Sequence, residues 1–437
     1  MTSKANDELP TLPSFSEALK FWCKLGWISF GGPAGQIAIM HTEIVERRRW
    51  MSEDHFLHAL NFCMLLPGPE AQQLATYLGW RMHGARGGIA AGVLFVLPSV
   101  FILLALSWLY MAGGEISWVN GIFYGMLPAV IAIVISAVRR IGSKALKSPS
   151  LWALAGLSFL AIFVLKISFV LILLSAALIG YLGGRIYPQQ FPAGKKHGGS
   201  SKHDLTSAVL PSVIRGGVLR MIFISVVCLV LWWLPVFASG LLLGWKSIQF
   251  QEGIFFSKAA LVTIGGAYAV LPYVAQMTVE KLGWLSQRQM MAGLGLAETT
   301  PGPLIMVLQF VGFVAAWQNP GDLPPLYAAI LGALITTWVT FLPSFLFVFL
   351  GAPFVEGMGE RPALASTLTA VTAAVVGVIL NLAVWFAWHA LVNANGSVDG
   401  FVAVVACGAW LMMERNKLGV IPTLVVCALL GMIWKWI

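Results

Sequence analysis

The stretch Leu65-Leu66-Pro67-Gly68-Pro69-Glu70 interrupts an apolar segment that runs from about residue 56 to residue 80. Proline at two of three successive positions removes two amide donors and clashes with the preceding turn, so an α-helix cannot pass through undisturbed. Where a helix opens inside lipid, protein or a water-filled cavity must satisfy the backbone groups that it leaves unpaired. The stretch therefore predicts a broken helix beside a polar site at membrane depth.

A second break of the same kind, Thr299-Thr300-Pro301-Gly302-Pro303-Leu304, lies 234 residues further along the chain. At this spacing, residues 21–74 and 255–308 are identical at thirteen of 54 positions without a gap. The identical pairs are Phe21/Phe255, Lys24/Lys258, Gly31/Gly265, Gly32/Gly266, Val45/Val279, Glu46/Glu280, Trp50/Trp284, Ser52/Ser286, Leu60/Leu294, Pro67/Pro301, Gly68/Gly302, Pro69/Pro303 and Leu74/Leu308. The match resumes further on, with Pro98-Ser99 against Pro343-Ser344. An internal duplication of this kind in a membrane protein is typical of transporters that bind substrate between the repeats.

The composition excludes most soluble classes, because 58% of the 437 residues are hydrophobic and only 10% are charged. Apolar runs with small residues interspersed predict helices, so we expect an all-α polytopic membrane protein embedded in the lipid bilayer. The net charge of +9 comes from Lys and Arg between the apolar segments, which argues against a nucleic-acid partner. The five cysteines lie in apolar stretches without paired spacing, and we expect neither disulfides nor metal ligation from them.

The pattern predicts about 13 helical segments, with six in each repeat and one between the repeats. A polar tail covers residues 1–14, the first repeat 15–186, a basic flexible linker 187–217, a connecting helix 218–241 and the second repeat 250–437. His197 and His203 lie in the linker without acidic or cysteine neighbours, so the linker predicts no metal site.

Charge counting predicts the topology. With the N-terminus inside, 18 Lys and Arg fall on the cytoplasmic side and six on the other, so the N-terminus is expected in the cytoplasm and the C-terminus in the periplasm. Seven crossings between the starts of the repeats, an odd number, predict inverted repeats. Arg47-Arg48-Arg49 disagrees with the count, because it falls outside. Either its acidic neighbours weaken the signal, or a re-entrant first segment returns it to the inside, and the sequence leaves both alternatives open.

A further break in each repeat, at Gly31-Gly32-Pro33 and Gly265-Gly266-Ala267, completes the candidate site. A helix that restarts after a break directs unpaired N–H groups and a positive dipole end toward the cavity, which favours anion binding. The alternative is that the Gly-Gly pairs serve helix packing and that Pro-Gly-Pro is only a kink. The substrate-binding residues predicted from the breaks are Gly31, Gly32, Pro33, Pro67, Gly68, Pro69, Gly265, Gly266, Pro301, Gly302 and Pro303.

Four charged residues complete the predicted transport residues. Lys24 and Lys258 lie seven residues before each Gly-Gly pair, where a cation either faces substrate or reaches the interface. Glu70 follows one Pro-Gly-Pro and Glu298 precedes the other; each is either a proton carrier or, at Glu70, a helix cap. By contrast, the pattern assigns Arg139 and Arg140 to topology.

Signatures of hydrolases and nucleotide-dependent pumps are missing from the sequence, so we expect neither an enzyme nor a cofactor. The run Phe21–Pro33 with its Phe-x-x-Lys, the Pro-Gly-Pro followed by Glu70, and their echoes at 255–266 and 301–303 resemble the chromate ion transporter family in its long, two-domain form. The resemblance implies secondary export of chromate across a bacterial inner membrane, conferring resistance. Sulfate or another oxyanion as substrate, a passive anion channel, and assembly as a homodimer stay open. The second repeat departs from the motifs, with Ala267 in place of Pro33 and Leu304 in place of Glu70.

Overall fold

The structure is a computed structural model that describes residues 12–113, 116–191, 217–354, 362–392, 396–415 and 418–436. Most of the predicted tail and linker therefore lies outside the described residues. Within these ranges the chain folds into sixteen α-helices, and the only β-type pairing is an isolated bridge between Val392 and Val398. The predicted all-α class is confirmed.

The first repeat contains seven helices, and two of its predicted segments are each divided by a break. The helices are α1 (Phe15–Ile28), α2 (Gly32–His41), α3 (Glu53–Leu65), α4 (Glu70–Ala112), α5 (Ser117–Ala145), α6 (Pro149–Phe163) and α7 (Phe169–Ile186). The connecting helix α8 (Gly217–Leu243) follows.

The second repeat continues with eight helices, which correspond in order to those of the first. They are α9 (Ile248–Val262), α10 (Ala267–Ala275), α11 (Gln287–Thr299), α12 (Val307–Gln318), α13 (Pro325–Gly351), α14 (Pro362–Leu391), α15 (Gly400–Glu414) and α16 (Val420–Trp436). The shift of 234 residues superimposes α3 on α11 residue for residue, and the π-helical turn Thr42–Arg47 on Gln276–Lys281. Ser52 and Ser286 each cap the helix that follows, which explains one of the repeated identities.

The first Gly-Gly break reverses the chain, so that α1 and α2 form a helical hairpin. The Arg48 guanidinium, beyond α2, lies 3.5 Å from the Glu17 carboxylate in the first turn of α1. The ring centroids of Phe21 and Trp50 are 5.4 Å apart. The chain that follows α2 therefore returns to the first half of α1, which favours the re-entrant alternative, in which Arg47-Arg48-Arg49 lies on the N-terminal side.

The same hairpin recurs in the second repeat, where the rings of Phe255 and Trp284 are 5.7 Å apart. These two aromatics are the repeat equivalents of the pair in the first hairpin. The chain therefore also turns back at Gly265-Gly266, and α10 returns to the side on which α9 begins.

The Pro-Gly-Pro break reverses the chain a second time. The first limb of α4 (70–82) packs back along α3, with the rings of Phe62 and Tyr77 5.8 Å apart, and ends where His83 hydrogen-bonds to the Pro13 carbonyl oxygen at 3.0 Å. At Gly84 (φ +62°) the chain reverses again, and the second limb of α4 (85–112) runs antiparallel to the first. In the second repeat, α12 and α13 take the places of these two limbs.

With the hairpins taken as re-entrant, the predicted number of crossings between the starts of the two repeats falls from seven to five. The number is still odd, so the second repeat is still predicted to begin on the opposite side. In the charge count over the sequence, Arg47 to Arg49 move to the N-terminal side and Lys281 and Arg288 move away from it, so the predicted 18 to six becomes 19 to five. Re-entrant hairpins therefore strengthen the predicted charge bias and remove the disagreement at Arg47-Arg48-Arg49.

The two repeats interlock in one core. Helix α5 packs against α11, α14 and α16, and α14 packs in turn against α6 and α7. Helix α8 lies at the periphery against α9 and α13, where the Trp232 indole donates a hydrogen bond to Ser257 Oγ at 2.9 Å. Among the described residues, the helices long and apolar enough to cross a membrane are Glu70–Ala112, Ser117–Ala145, Phe169–Ile186, Leu219–Leu243, Pro325–Gly351 and Ala365–Leu391.

Candidate functional site

The four predicted breaks are opened by glycines with positive φ. The pairs correspond across the repeats: Gly31 and Gly265 have φ of 87° and 85°, and Gly68 and Gly302 have φ of 128° and 102°. Residues other than glycine rarely adopt this backbone region, so the glycines are what permits the turns.

The breaks of one repeat are bonded to those of the other. The Gly68 N–H donates to the Thr263 carbonyl oxygen, and the Gly302 N–H donates to the Ser29 carbonyl oxygen, each at 2.7 Å. Ser29 and Thr263 are repeat equivalents, so the two hydrogen bonds form a pseudo-two-fold pair. We call this meeting point of Ser29–Gly32, Leu66–Pro69, Thr263–Gly266 and Thr300–Pro303 the break junction.

The junction brings four helix N-termini together. Helices α2 and α10, the first limb of α4 and the short 3₁₀ turn Leu304–Met306 before α12 all begin there, and none of the four has a side-chain cap. Their first-turn N–H groups and positive dipole ends suit an anion. The carbonyl oxygens of Ser29 and Thr263, by contrast, already accept hydrogen bonds across the junction.

The two kinds of glycine have different surroundings. A Cβ built on Gly31, Gly32 or Gly265 would meet no atom within 4 Å. The Pro-Gly-Pro glycines instead pack against protein, because a Cβ on Gly302 would overlap Ser99 Oγ and one on Gly68 would lie 2.6 Å from Ser344 Oγ. Open space therefore adjoins Gly31, Gly32 and Gly265, whereas protein encloses Gly68 and Gly302, and contact of any of these glycines with substrate stays a prediction.

Both predicted carboxyl residues lie beside the start of α10. A Cβ built on Gly266 would lie 3.5 Å from Glu70 Oε1, so this carboxyl group of the first repeat reaches the Gly-Gly break of the second. Glu298 is 6% exposed and accepts a hydrogen bond from the Tyr268 hydroxyl. The structure thus brings together two residues that are not equivalent in the sequence repeat.

Arg140 supplies a cation at the same place, which the sequence pattern did not predict. Its side chain, at an exposed position on α5, lies near enough to the buried Tyr268 hydroxyl and the Glu298 carboxyl group to act on both electrostatically. The adjacent Arg139 points elsewhere and pairs with Glu414 on α15. The available signal was helix geometry, since successive residues on a helix point about 100° apart.

The predicted lysines do not join the junction. Lys24 and Lys258 occupy exposed faces of α1 and α9, while their neighbours Phe21, Leu25 and Phe256 turn inward. Of the two alternatives for these lysines, the structure favours a position at the periphery.

Buried glutamines, which the sequence pattern did not single out, hold the junction together. Gln36 Nε2 donates to the carbonyl oxygens of Gly302 at 2.5 Å and of Ser29 at 3.2 Å, and Gln73 Nε2 donates to the Pro67 carbonyl oxygen at 2.8 Å. Each glutamine lies within a turn after a break, where its amide replaces a helical partner that the break removes.

The comparisons with known proteins agree with this architecture. The family described as Chromate transporter matches residues 16–181 and again residues 250–432. A chromate transport protein of Cupriavidus metallidurans is 28% identical over 97% of this chain and 94% of its own length, and one of Pseudomonas aeruginosa is 30% identical over 98% and 95%. No solved structure matches the chain. The chain therefore belongs to the chromate transporter family.

Proposed function

We propose that this protein exports chromate from the cytoplasm across the inner membrane, driven by the membrane potential and by proton exchange, and so confers chromate resistance. The observation that carries the proposal is the break junction, where four helix N-termini without side-chain caps meet between the repeats. A tetrahedral dianion suits such a site because backbone N–H groups can contact several of its oxygens at once.

The charge bias supports the orientation that export requires. With 19 basic residues on the N-terminal side and five on the other, we propose a cytoplasmic N-terminus and a periplasmic C-terminus. One chain supplies all four breaks, so a homodimer would pair two complete transport units.

The membrane potential is a sufficient driving force for this substrate. An inside-negative potential of about 100 mV contributes roughly 2.3 kcal/mol per charge, or about 4.6 kcal/mol for a dianion. That energy supports an outward gradient of more than about a thousandfold. Export therefore needs no nucleotide hydrolysis, which agrees with the absence of nucleotide-binding motifs from the sequence.

Arg140 is the cation that we assign to the substrate. In the conformation described here the guanidinium lies near Glu298 and Tyr268, so an arriving dianion would compete with the Glu298 carboxyl group for it. Once displaced, the carboxyl group keeps its hydrogen bond from Tyr268. This exchange of partners would belong to anion binding at one end of the junction, and it is separate from the proton exchange that helps to drive export.

Uptake of radiolabelled chromate into energised everted vesicles tests the proposal, with Arg140→Gln as the variant and Arg139→Gln as its matched control. We expect saturable uptake by the wild type, and a ten- to a hundredfold higher half-saturation concentration for Arg140→Gln, from the loss of about 1.5–3 kcal/mol for a charge-assisted hydrogen bond. Arg139→Gln should transport as the wild type does.

Four outcomes would overturn parts of the proposal. No uptake with energisation verified would end chromate export, and flux that never saturates would identify a channel. Uptake of radiolabelled sulfate without uptake of chromate would reassign the substrate within the oxyanions. Equal loss in both arginine variants would remove Arg140 from the site.

A further inference from the structure

Glu252 is a buried carboxyl group that lies apart from the break junction. It lies near the start of α9, is 0% exposed, and neither of its carboxyl oxygens has a hydrogen-bond partner among the described residues. The backbone of α13 approaches it directly, since a Cβ built on Gly332 would lie 2.6 Å from Glu252 Oε2. A glycine in the opposing helix thus leaves space for this acid.

Other polar groups lie around the same helix crossing. The Thr336 hydroxyl, one turn beyond Gly332 on α13, is fully buried and has no partner in the described part of the chain. Gln249, one turn before Glu252 on α9, is buried and makes only a 3.4 Å hydrogen bond, to the Ala328 carbonyl oxygen. Polar atoms left unpaired at such a crossing are costly in a static structure.

Ionisable side chains on the helices around α9 do not satisfy Glu252. None of them is a hydrogen-bond partner of either carboxyl oxygen. On α8, α10 and α13 the described ones are Arg220, Cys228, Tyr268, Tyr273 and Tyr327, α12 carries none, and α9 itself carries Lys258 on an exposed face.

The first repeat provides an internal control for this cluster. At the positions equivalent to Glu252 and Thr336 it carries Ala18 and Ala91, whereas the glycine of the crossing is retained as Gly87. The equivalent crossing, of α1 with the second limb of α4, therefore forms with apolar side chains at these two positions. Because the fold does not require the acid, its presence in the second repeat calls for a functional reason.

Burial determines the form in which the acid is held. An ionised carboxylate without a partner in the protein interior costs several kcal/mol, so this conformation accommodates Glu252 with its proton. Glu252 is the fifth residue of α9 and faces Gly332, the eighth residue of α13, so it lies toward the ends at which both helices begin. The predicted topology places these ends on the side opposite to the N-terminus.

We propose that Glu252 is a proton-binding site through which the second repeat couples proton entry to chromate export, an inference that rests on the proposed function. The proton binds from the side on which α9 begins, which is the periplasmic side in the proposed orientation. It leaves toward the cytoplasm when the crossing of α9 with α13 opens. Proton entry and dianion exit both move positive charge inward, so an inside-negative potential drives both.

Chromate uptake into proteoliposomes that contain the purified full-length protein tests the inference at a fixed membrane potential. A pH gradient of one unit, acid in the lumen, should raise wild-type accumulation about tenfold for one proton per chromate, because one unit corresponds to 1.36 kcal/mol. Glu252→Gln and Glu252→Ala should keep the potential-driven uptake and lose this tenfold gain. Glu280→Gln, which removes an exposed carboxylate of the same repeat, should keep it.

A second measurement does not depend on transport. The infrared difference spectrum of wild type minus Glu252→Gln should contain the carboxylic-acid carbonyl band of a protonated Glu252. A difference spectrum with only carboxylate bands would overturn the inference, as would a full response to the pH gradient in both Glu252 variants or no response in an active wild type. Absence of any chromate uptake by the wild type would instead contradict the proposed function.

Discussion

Replacing Gly302 by alanine should destabilise the protein through packing and backbone strain. Gly302 has φ of +102°, a region that costs an L side chain about 1–3 kcal/mol. Its new methyl group would overlap Ser99 Oγ and lie 3.3 Å from Ser99 Cβ, and overpacking of this kind costs a further 1–3 kcal/mol, roughly. We therefore expect a loss of about 2–6 kcal/mol in the free energy of unfolding.

The contribution of the clash can be separated from that of the backbone with a double variant. Ser99→Ala alone removes the hydroxyl group that donates to the Pro301 carbonyl oxygen, and we expect it to cost about 1–3 kcal/mol. In Ser99→Ala/Gly302→Ala the overlap with Oγ is gone, so the double variant should lose less stability than the losses of the two single variants added together. Gly68→Ala with Ser344→Ala repeats the test in the other half, where the clash is with Ser344 Oγ and Gln73.

Apparent thermal midpoints of the detergent-solubilised protein, followed by tryptophan fluorescence, measure these differences at one fixed scan rate. Gly156→Ala is the matched control, because that glycine lies in α6 and a Cβ built on it meets no atom within 4 Å. If Gly302→Ala unfolded at the same temperature as Gly156→Ala, the packing argument would be refuted. Normal stability together with lost transport would instead indicate direct contact between this glycine and the substrate.

Two further predictions concern the junction and the surface. Gln36→Leu removes the side-chain donor from the Gly302 carbonyl oxygen, whereas the Ser29 carbonyl oxygen keeps its bond from the Gly302 N–H. The variant should lower stability by about 1–3 kcal/mol, visible as a lower thermal midpoint; an unchanged midpoint would contradict it. Glu43 lies in the turn after α2. Burial alone would raise the pKa of its carboxyl group, but the hydrogen bonds from Arg47 and Arg48 outweigh this effect and lower the pKa. Because the pKa of Glu43 is lower in the folded protein than in the unfolded chain, the ionised carboxylate stabilises the fold. Glu43→Gln should therefore lower stability by up to about 1 kcal/mol at neutral pH. This difference should shrink as the pH falls below about 4, and a constant difference down to lower pH would refute it.

The sequence predicted where the helices break, but not what the chain does after each break. Glycine and proline reveal that helical hydrogen bonding stops, whereas the new direction depends on distant contacts such as that between Phe21 and Trp50. Both of these aromatics are among the repeated identities, but tryptophan is also common at membrane interfaces, so the sequence alone does not indicate their contact. The all-α class and the family resemblance did not depend on direction, and both are confirmed.

The charged residues show a second limit of sequence reasoning. Glu70 and Glu298 were found because each flanks a Pro-Gly-Pro, and the structure places both at the start of α10. Arg139 and Arg140 look alike in sequence, and only the packing of α5 separates their partners. Glu252 stands at the polar end of an apolar segment, where a carboxyl group is ordinarily solvated, and only the close approach of α13 buries it.

The paired hydrogen bonds of the break junction make each half of the chain self-complementary. The first half contains both a donor, the Gly68 N–H, and an acceptor, the Ser29 carbonyl oxygen, and the second half contains the equivalent pair. Two copies of a single half, facing each other about a two-fold axis, could therefore form the same two bonds. A half-length chain with these elements would therefore have a complete junction as an antiparallel pair. In the single chain the equivalent positions of the two halves can differ, as Glu70 and Leu304 do.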